Sequence, residues 1–251
     1  MFNSPSWAAL IDVNLATGMV SAVSTARLTP YGLGNPATPP VEAVALHGRN
    51  IALCEAIYPT LHLLEVVMRN RIHDSFTAHF NSASWYDEPW IRAGHAALVT
   101  EAKADLAKKN KPADPDRVVA ELGFGFWCGM FHHSYEFGGG PWPALLSTVL
   151  PRIPKSQRTR ANVSKRVEEA RGIRNRVFHH EPIAKSLNNA QLLQTHQRLV
   201  EVVGWFSSEA RLHLEHLCRF KAVFGDKLQP LPPANPAPNA ALPPAAPSSS
   251  P

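Results

Sequence analysis

The sequence predicts an all-α fold, and three observations carry that prediction. Apolar residues recur at three- and four-residue intervals over residues 51–80, where Leu53, Ile57, Leu61, Leu64, Met68, Ile72 and Phe76 form one stripe of the helical period. Helix start and stop signals follow one another downstream, the clearest being Asp114-Pro115-Asp116 before an apolar run and Pro182 after one. No run of alternating β-branched residues is long enough to build a sheet. With 45% hydrophobic residues in 251, the chain has enough apolar side chains for a substantial core.

The elements follow in order. Residues 1–42 read as a loop-rich segment, because LTPYGLGNPATPPV at 28–41 is dense in Pro and Gly. Helical patterning begins near Ala43 and continues through the 51–80 stripe, with Pro59 expected to break or kink it after Tyr58. NSASWYDEPW at 81–90 is a turn-rich connection, and a polar helix over about 91–109 should expose Lys103, Lys108 and Lys109. Asp114 then caps a helix, Pro115 fits its first position and Asp116 suits its positive end. The following VVAELGFGFWCGMF is apolar on most sides and predicts one buried helix, whose Gly123, Gly125 and Gly129 allow close approach of a neighbour.

GGGPWPALLSTVLPRIP at 138–154 is expected to be a loop around a short helical piece. A helix over about 158–180 buries Val163, Val167, Ala170, Ile173 and Val177 and ends before Pro182. Asn188 or Asn189 caps a helix reaching about Trp205, and Ser207 or Ser208 caps a final one over about 208–222. A helical domain at 43–228 thus precedes residues 229–251, which hold nine prolines and no charge and read as a disordered, partly polyproline tail.

Charge is concentrated. Residues 155–180 hold eight Lys and Arg against two Glu, while the chain as a whole carries +5. A local basic surface of this kind suits a polyanionic partner. The three cysteines have no paired spacing, so neither a disulfide framework nor a zinc knuckle is expected, and buried free thiols are the simpler reading. MFNSPSWAALIDVN lacks a basic region followed by an apolar run, and no stretch approaches about 18 uninterrupted apolar residues. A cytoplasmic location without a membrane span is therefore expected.

The basic stretch contains RGIRNRVFHHEPI at 171–183. With a step of about 100° per residue, Asn175 and His179 share a helix face at i, i+4, and the long Arg174 side chain can swing toward them. These residue types suit cleavage of RNA without a metal. A histidine can take the proton of a ribose 2′-hydroxyl. An arginine can stabilise charge on the phosphate with forked hydrogen bonds, and an asparagine can orient either group. One histidine cannot readily act as both base and acid, so a second motif should face the first, as a two-fold dimer provides. Lys165, Arg166, Arg171, Arg176 and His180 would hold the RNA backbone. The same residues also fit a solvated helix face or plain nucleic-acid binding.

A second element, RNRIHD at 69–74, places Arg69 and His73 on one helix face; Arg69 can line the same groove or pair with nearby Glu residues. His132-His133 with Glu136, and His179-His180-Glu181, lack a recognised metal-ligand spacing, and no HExxH is present. GGGP at 138–141 is followed by no Gly-Lys-Ser/Thr and is not a phosphate loop. No metal or cofactor is expected.

RNRVFHHEPI resembles the signature of the HEPN superfamily, in which an Arg, usually followed by a polar residue, and a His after four to six intervening positions form the active site. More narrowly, YPTLHLLEVVMRNRIHDSF at 58–76, VVAELGFGFWCGMFHHSYE at 118–136 and GIRNRVFHHEPI at 172–183 resemble the abortive-infection (Abi-like) branch, over about 45–225. The resemblance implies a HEPN-type helical bundle, here with additional N-terminal helices, that is commonly dimeric. It further implies an endoribonuclease of phage defence or of a toxin–antitoxin system, with an antitoxin or a phage-derived trigger as possible partner. By that resemblance His179 is the base or acid, Arg174 the phosphate stabiliser and Asn175 the orienting group. RNRIHD departs from the pattern, having only three residues between Arg69 and His73.

Overall fold

The computed structural model describes residues 11–136, 140–183 and 189–225, so the Pro-rich tail and Asn188 lie outside the described residues. Every regular element among the described residues is helical. In chain order these are α1 (Val13–Val23), α2 (Thr25–Leu28), α3 (Pro40–Phe80), α4 (Ala93–Lys108), α5 (Pro115–Glu121), α6 (Phe124–Gly129), α7 (Leu146–Val149), α8 (Arg160–Phe178), α9 (Asn189–Phe206), α10 (Ser208–Leu217) and α11 (Phe220–Phe224).

Helix α3 is the axis of the bundle, packing against α9, α10 and α11 and against α6, α7 and α8. All seven residues of the predicted stripe are buried, from Leu53 to Phe76. α3 is long and apolar enough by length and composition to cross a membrane, and in this fold its apolar stripe faces the other helices. Pro59 does not break it. The proline forfeits the hydrogen bond to the Glu55 carbonyl, but Ala56, Ile57, Thr60 and Leu61 on either side are buried and keep the helix continuous.

Three further expectations change. The loop-rich segment before residue 42 contains α1 and α2, which pack Ala16, Leu28 and Tyr31 on Ala43 and Val44 as a small separate core. The apolar run after Asp114 splits into α5 and α6, because Leu122 turns extended and its carbonyl accepts the Trp127 indole N–H at 3.0 Å. The last predicted helix also divides, at Cys218–Arg219. Of the three glycines, only Gly129 meets a close neighbour: a Cβ there would lie 2.4 Å from His95 Nε2 in α4, whereas Gly123 and Gly125 face open space.

Two of the expected caps form, at Asp114 and Ser207. Asp114 accepts the Arg117 N–H at 3.1 Å, and Ser207 accepts that of Ala210 at 3.0 Å. The main core is dense in aromatic rings around Phe76, Trp85 and Trp142; Trp85 donates to His73 Nδ1 (3.1 Å) and Trp142 to the Met130 carbonyl (2.7 Å), whereas the buried indole N–H groups of Trp90 and Trp205 have no acceptor among the described residues.

Candidate functional site

Helix α8 is fixed before any polar residue on it can act. Thr159 caps it by accepting the Asn162 N–H at 3.2 Å, and Val163, Val167, Ala170 and Ile173 are buried at helical spacing. Arg160 ties the first turn to the preceding loop, donating to Glu136 (2.9 Å) and to the Phe131 carbonyl (2.8 Å). Midway, Glu169 is gripped by Arg198 of α9, and Thr195 donates to the same carboxylate at 3.3 Å. Burial alone would raise the Glu169 carboxyl; the Arg198 guanidinium overrides it and holds it below the ordinary range.

The C-terminal end carries the motif and is closed by a Schellman turn. The His180 N–H donates to the Val177 carbonyl (3.2 Å) and the Glu181 N–H to that of Arg176 (2.8 Å). His180 occupies the position that glycine usually fills, with φ of 58°. Two distant segments then pin the turn. Arg27 donates to the His180 carbonyl at 3.0 Å, and Asn50 of α3 accepts the Ile183 N–H at 2.9 Å. The result is a rigid helix end with Asn175, His179 and His180 exposed beside it.

Asn175 and His179 fall on one face, one turn apart, with the His179 N–H on the Asn175 carbonyl at 2.8 Å. Arg174 does not swing toward them as expected. Its guanidinium lies 4.2 Å from the centre of the Phe178 ring, its own i+4 neighbour, because a planar cation gains from an aromatic face. Its Nε–H is buried and has no acceptor. Phe178 in turn meets Tyr58 of α3 at 6.3 Å, and Tyr58 stacks on His62 at 5.9 Å. Phe178 and Tyr58 are 48% and 47% exposed, large for aromatic rings, so this row is a surface feature. Sequence reasoning missed Phe178, Tyr58 and His62, although Phe178 stands inside the motif at helical spacing from Arg174.

The basic surroundings are less free than the charge sum implies. Arg158 donates to the Ile153 carbonyl (3.3 Å) and Arg160 is bound as above. Arg171 pairs with Glu168 (2.6 Å) and Arg166 with Glu169 (3.6 Å), whereas Lys165 is exposed and Arg176 half-buried. Arg69 is half-buried on α3, roughly 16 Å along the helix axis from Tyr58 by helical rise, so it stands away from the α8 end. His73 accepts the Trp85 indole, and burial lowers its pKa; its role is structural.

Among the described residues no three His, Cys, Asp or Glu side chains are grouped as a cation site would require. His132 caps the turn at Ser134 (2.9 Å to its hydroxyl) and Glu136 is paired with Arg160, which gives two of the three residues of that sequence cluster other partners. Compared with protein-family models, curated proteins and solved structures, the chain finds no match.

Proposed function

We propose that this protein is a metal-independent endoribonuclease of the HEPN type, cutting RNA at a composite site formed by two copies of the chain. One observation carries the reading: Asn175 and His179 stand exposed at the end of a helix pinned from behind, with Arg174 on the adjoining strip and its Nε–H in want of an acceptor. A phosphate oxygen is such an acceptor. In the proposed reaction His179 of one copy removes the 2′-hydroxyl proton. The 2′-oxygen attacks phosphorus and expels the 5′-oxygen, which His179 of the second copy protonates. Arg174 leaves the Phe178 face to bind the charged phosphate, and the products are a 2′,3′-cyclic phosphate and a 5′-hydroxyl. Lys165, Arg166, Arg171, Arg176 and His180 border the RNA path. Arg69 is the outlying member of that set.

The test is incubation of the purified protein with RNA in EDTA beside His179→Ala and Arg174→Ala. Cleavage by wild type and its loss in both variants is expected; equal cleavage by all three refutes the assignment. A cytoplasmic role in abortive infection or as a toxin, released by a phage signal or by loss of an antitoxin, belongs to the same proposal. It predicts growth arrest on expression of wild type and not of His179→Ala.

A second reading is favoured by one observation: the Arg174 guanidinium is already engaged with Phe178. The protein is then a non-catalytic module that binds RNA, a nucleotide or a partner on the same face. Intact RNA after incubation, with salt-sensitive binding retained, distinguishes it.

A further inference from the structure

Cys218 lies at the break between α10 and α11. Its Sγ is 3.2 Å from His196 Nε2, 3.8 Å from Thr60 Oγ1 and 3.9 Å from the Ala56 carbonyl. Thr60 Oγ1 is also 3.2 Å from the same imidazole nitrogen. In the tautomer with Nε2 unprotonated, that nitrogen can accept from the hydroxyl or from the thiol, whose hydrogen also reaches the Ala56 carbonyl. His196 is 3% exposed, stacked on Phe220 at 4.2 Å, and its Nδ1 is buried with no partner. A cavity of about 570 Å³ opens onto this pair, lined by Val200 and Leu214 and by the charged Glu201 and Lys221. A buried histidine oriented onto a thiol at the wall of a cavity is the arrangement that activates a cysteine.

We infer that Cys218 is a thiol-modification site, with His196 as its proton acceptor and low-molecular-weight disulfides as the ligands that enter the cavity. In the exchange the thiol proton passes to His196 Nε2 and Sγ attacks one sulfur of the disulfide. The S–S bond breaks, and the departing thiolate recovers the proton from His196. The disulfide is the oxidant and one new mixed disulfide is the product, reversible by excess thiol. Burial, and then the Lys221 charge, push the His196 imidazole down to about 4. That disfavours a standing imidazolium, so the proton rests on His196 only during the exchange, taken from the thiol and returned to the leaving thiolate.

The other two cysteines are internal controls. Cys128 is buried, donates to the Val167 carbonyl at 3.5 Å, and burial pushes its thiol up. Burial likewise pushes Cys54 up to about 11, against the hydrogen bond it receives from Asn50. Neither faces an imidazole.

The full-length protein is treated with the aromatic disulfide dithiobisnitrobenzoate while released thiolate is followed by absorbance, and adducts are located by peptide mass mapping. A single fast equivalent on Cys218 is expected. Cys218→Ser should remove the fast phase, and His196→Gln, which can still hydrogen-bond the thiol but takes no proton from it, should slow it about ten-fold. Thr60→Val leaves both members of the pair and should keep the phase. A fast adduct on Cys54 or Cys128, equal rates at all three cysteines, or an unchanged rate in His196→Gln overturns the inference. Should His196→Gln lose its native melting transition, Thr60→Val decides: a retained fast phase supports the pair, and its loss in a folded variant refutes it.

Discussion

Replacing His180 with glycine should stabilise the protein, although it removes a side chain from the middle of the candidate site. The His180 backbone sits at φ of 58°, a left-handed conformation that crowds a Cβ against the carbonyl that follows. For L residues this costs roughly 1–2 kcal/mol, at the lower end for histidine, which tolerates the region better than most. Glycine escapes that cost but loses about 0.5–1 kcal/mol through the greater freedom of its unfolded chain. Every hydrogen bond of the turn runs through backbone atoms at this residue, including the one from Arg27 to its carbonyl, so glycine keeps them. The net gain is up to about 0.5 kcal/mol, a rise in Tm of up to roughly 2 °C for a chain of this size. Thermal melts followed by far-ultraviolet circular dichroism measure it. His180→Val, β-branched in the same conformation, should move Tm the other way. A fall in Tm for His180→Gly would refute the reasoning, since it would mean that the imidazole makes a contact worth more than the strain. Cleavage measured on the same variant separates the neighbours: His180→Gly, which loses only a contact along the RNA path, should raise KM and keep kcat, and His179→Ala should abolish cleavage.

Three other outcomes follow from single contacts. Gly129→Ala places a methyl 2.4 Å from His95 Nε2, whose ring is held at 2.9 Å by the Tyr135 hydroxyl, and should cost roughly 1–3 kcal/mol, read as a lower urea midpoint; an unchanged midpoint would show that His95 yields freely. Asn50→Ala removes the acceptor from the buried Ile183 N–H at a cost of about 1–3 kcal/mol, and that amide should exchange with solvent deuterium faster than its neighbours. Acid should weaken the fold through His196. Its folded pKa of about 4 lies below the ordinary 6.5, so the unfolded chain binds the proton first and stability falls as pH drops from about 6.5 to about 4, by up to about 3 kcal/mol. His47, His73 and His95, also lowered by burial, act in the same direction. His196→Gln should flatten that slope, and a wild-type profile level across the window would sink the argument.

The candidate site was partly legible in the sequence. Asn175 and His179 could be placed on one exposed face because their relation is set by helix period alone, and the buried stripe from Val163 to Ile173 fixes which side of α8 faces the core. The orientation of Arg174 could not be read. It depends on Phe178 being held at the surface beside Tyr58, a residue of another helix far away in the chain. Charge behaved the same way. Eight cations can be counted between 155 and 180, but only the fold shows that Arg160 is turned onto Glu136 and the Phe131 carbonyl. The Cys218–His196–Thr60 cluster left no trace in the sequence, because its members come from three separate segments with no shared spacing.

By itself the sequence determined the helical class, the stripe along α3, the caps at Asp114 and Ser207, and the face shared by Asn175 and His179. Each of these rests on interactions within about one turn of chain, where residue type and spacing suffice. Tertiary structure decided whether Pro59 broke α3, where the run after Asp114 divided, and which of Gly123, Gly125 and Gly129 meets a neighbour. It also decided that His180 closes the motif helix under the grip of Arg27 and Asn50. Those outcomes depend on what packs against a segment from elsewhere: buried neighbours outweigh one lost hydrogen bond at Pro59, and a ring from α4 makes Gly129 the close approach.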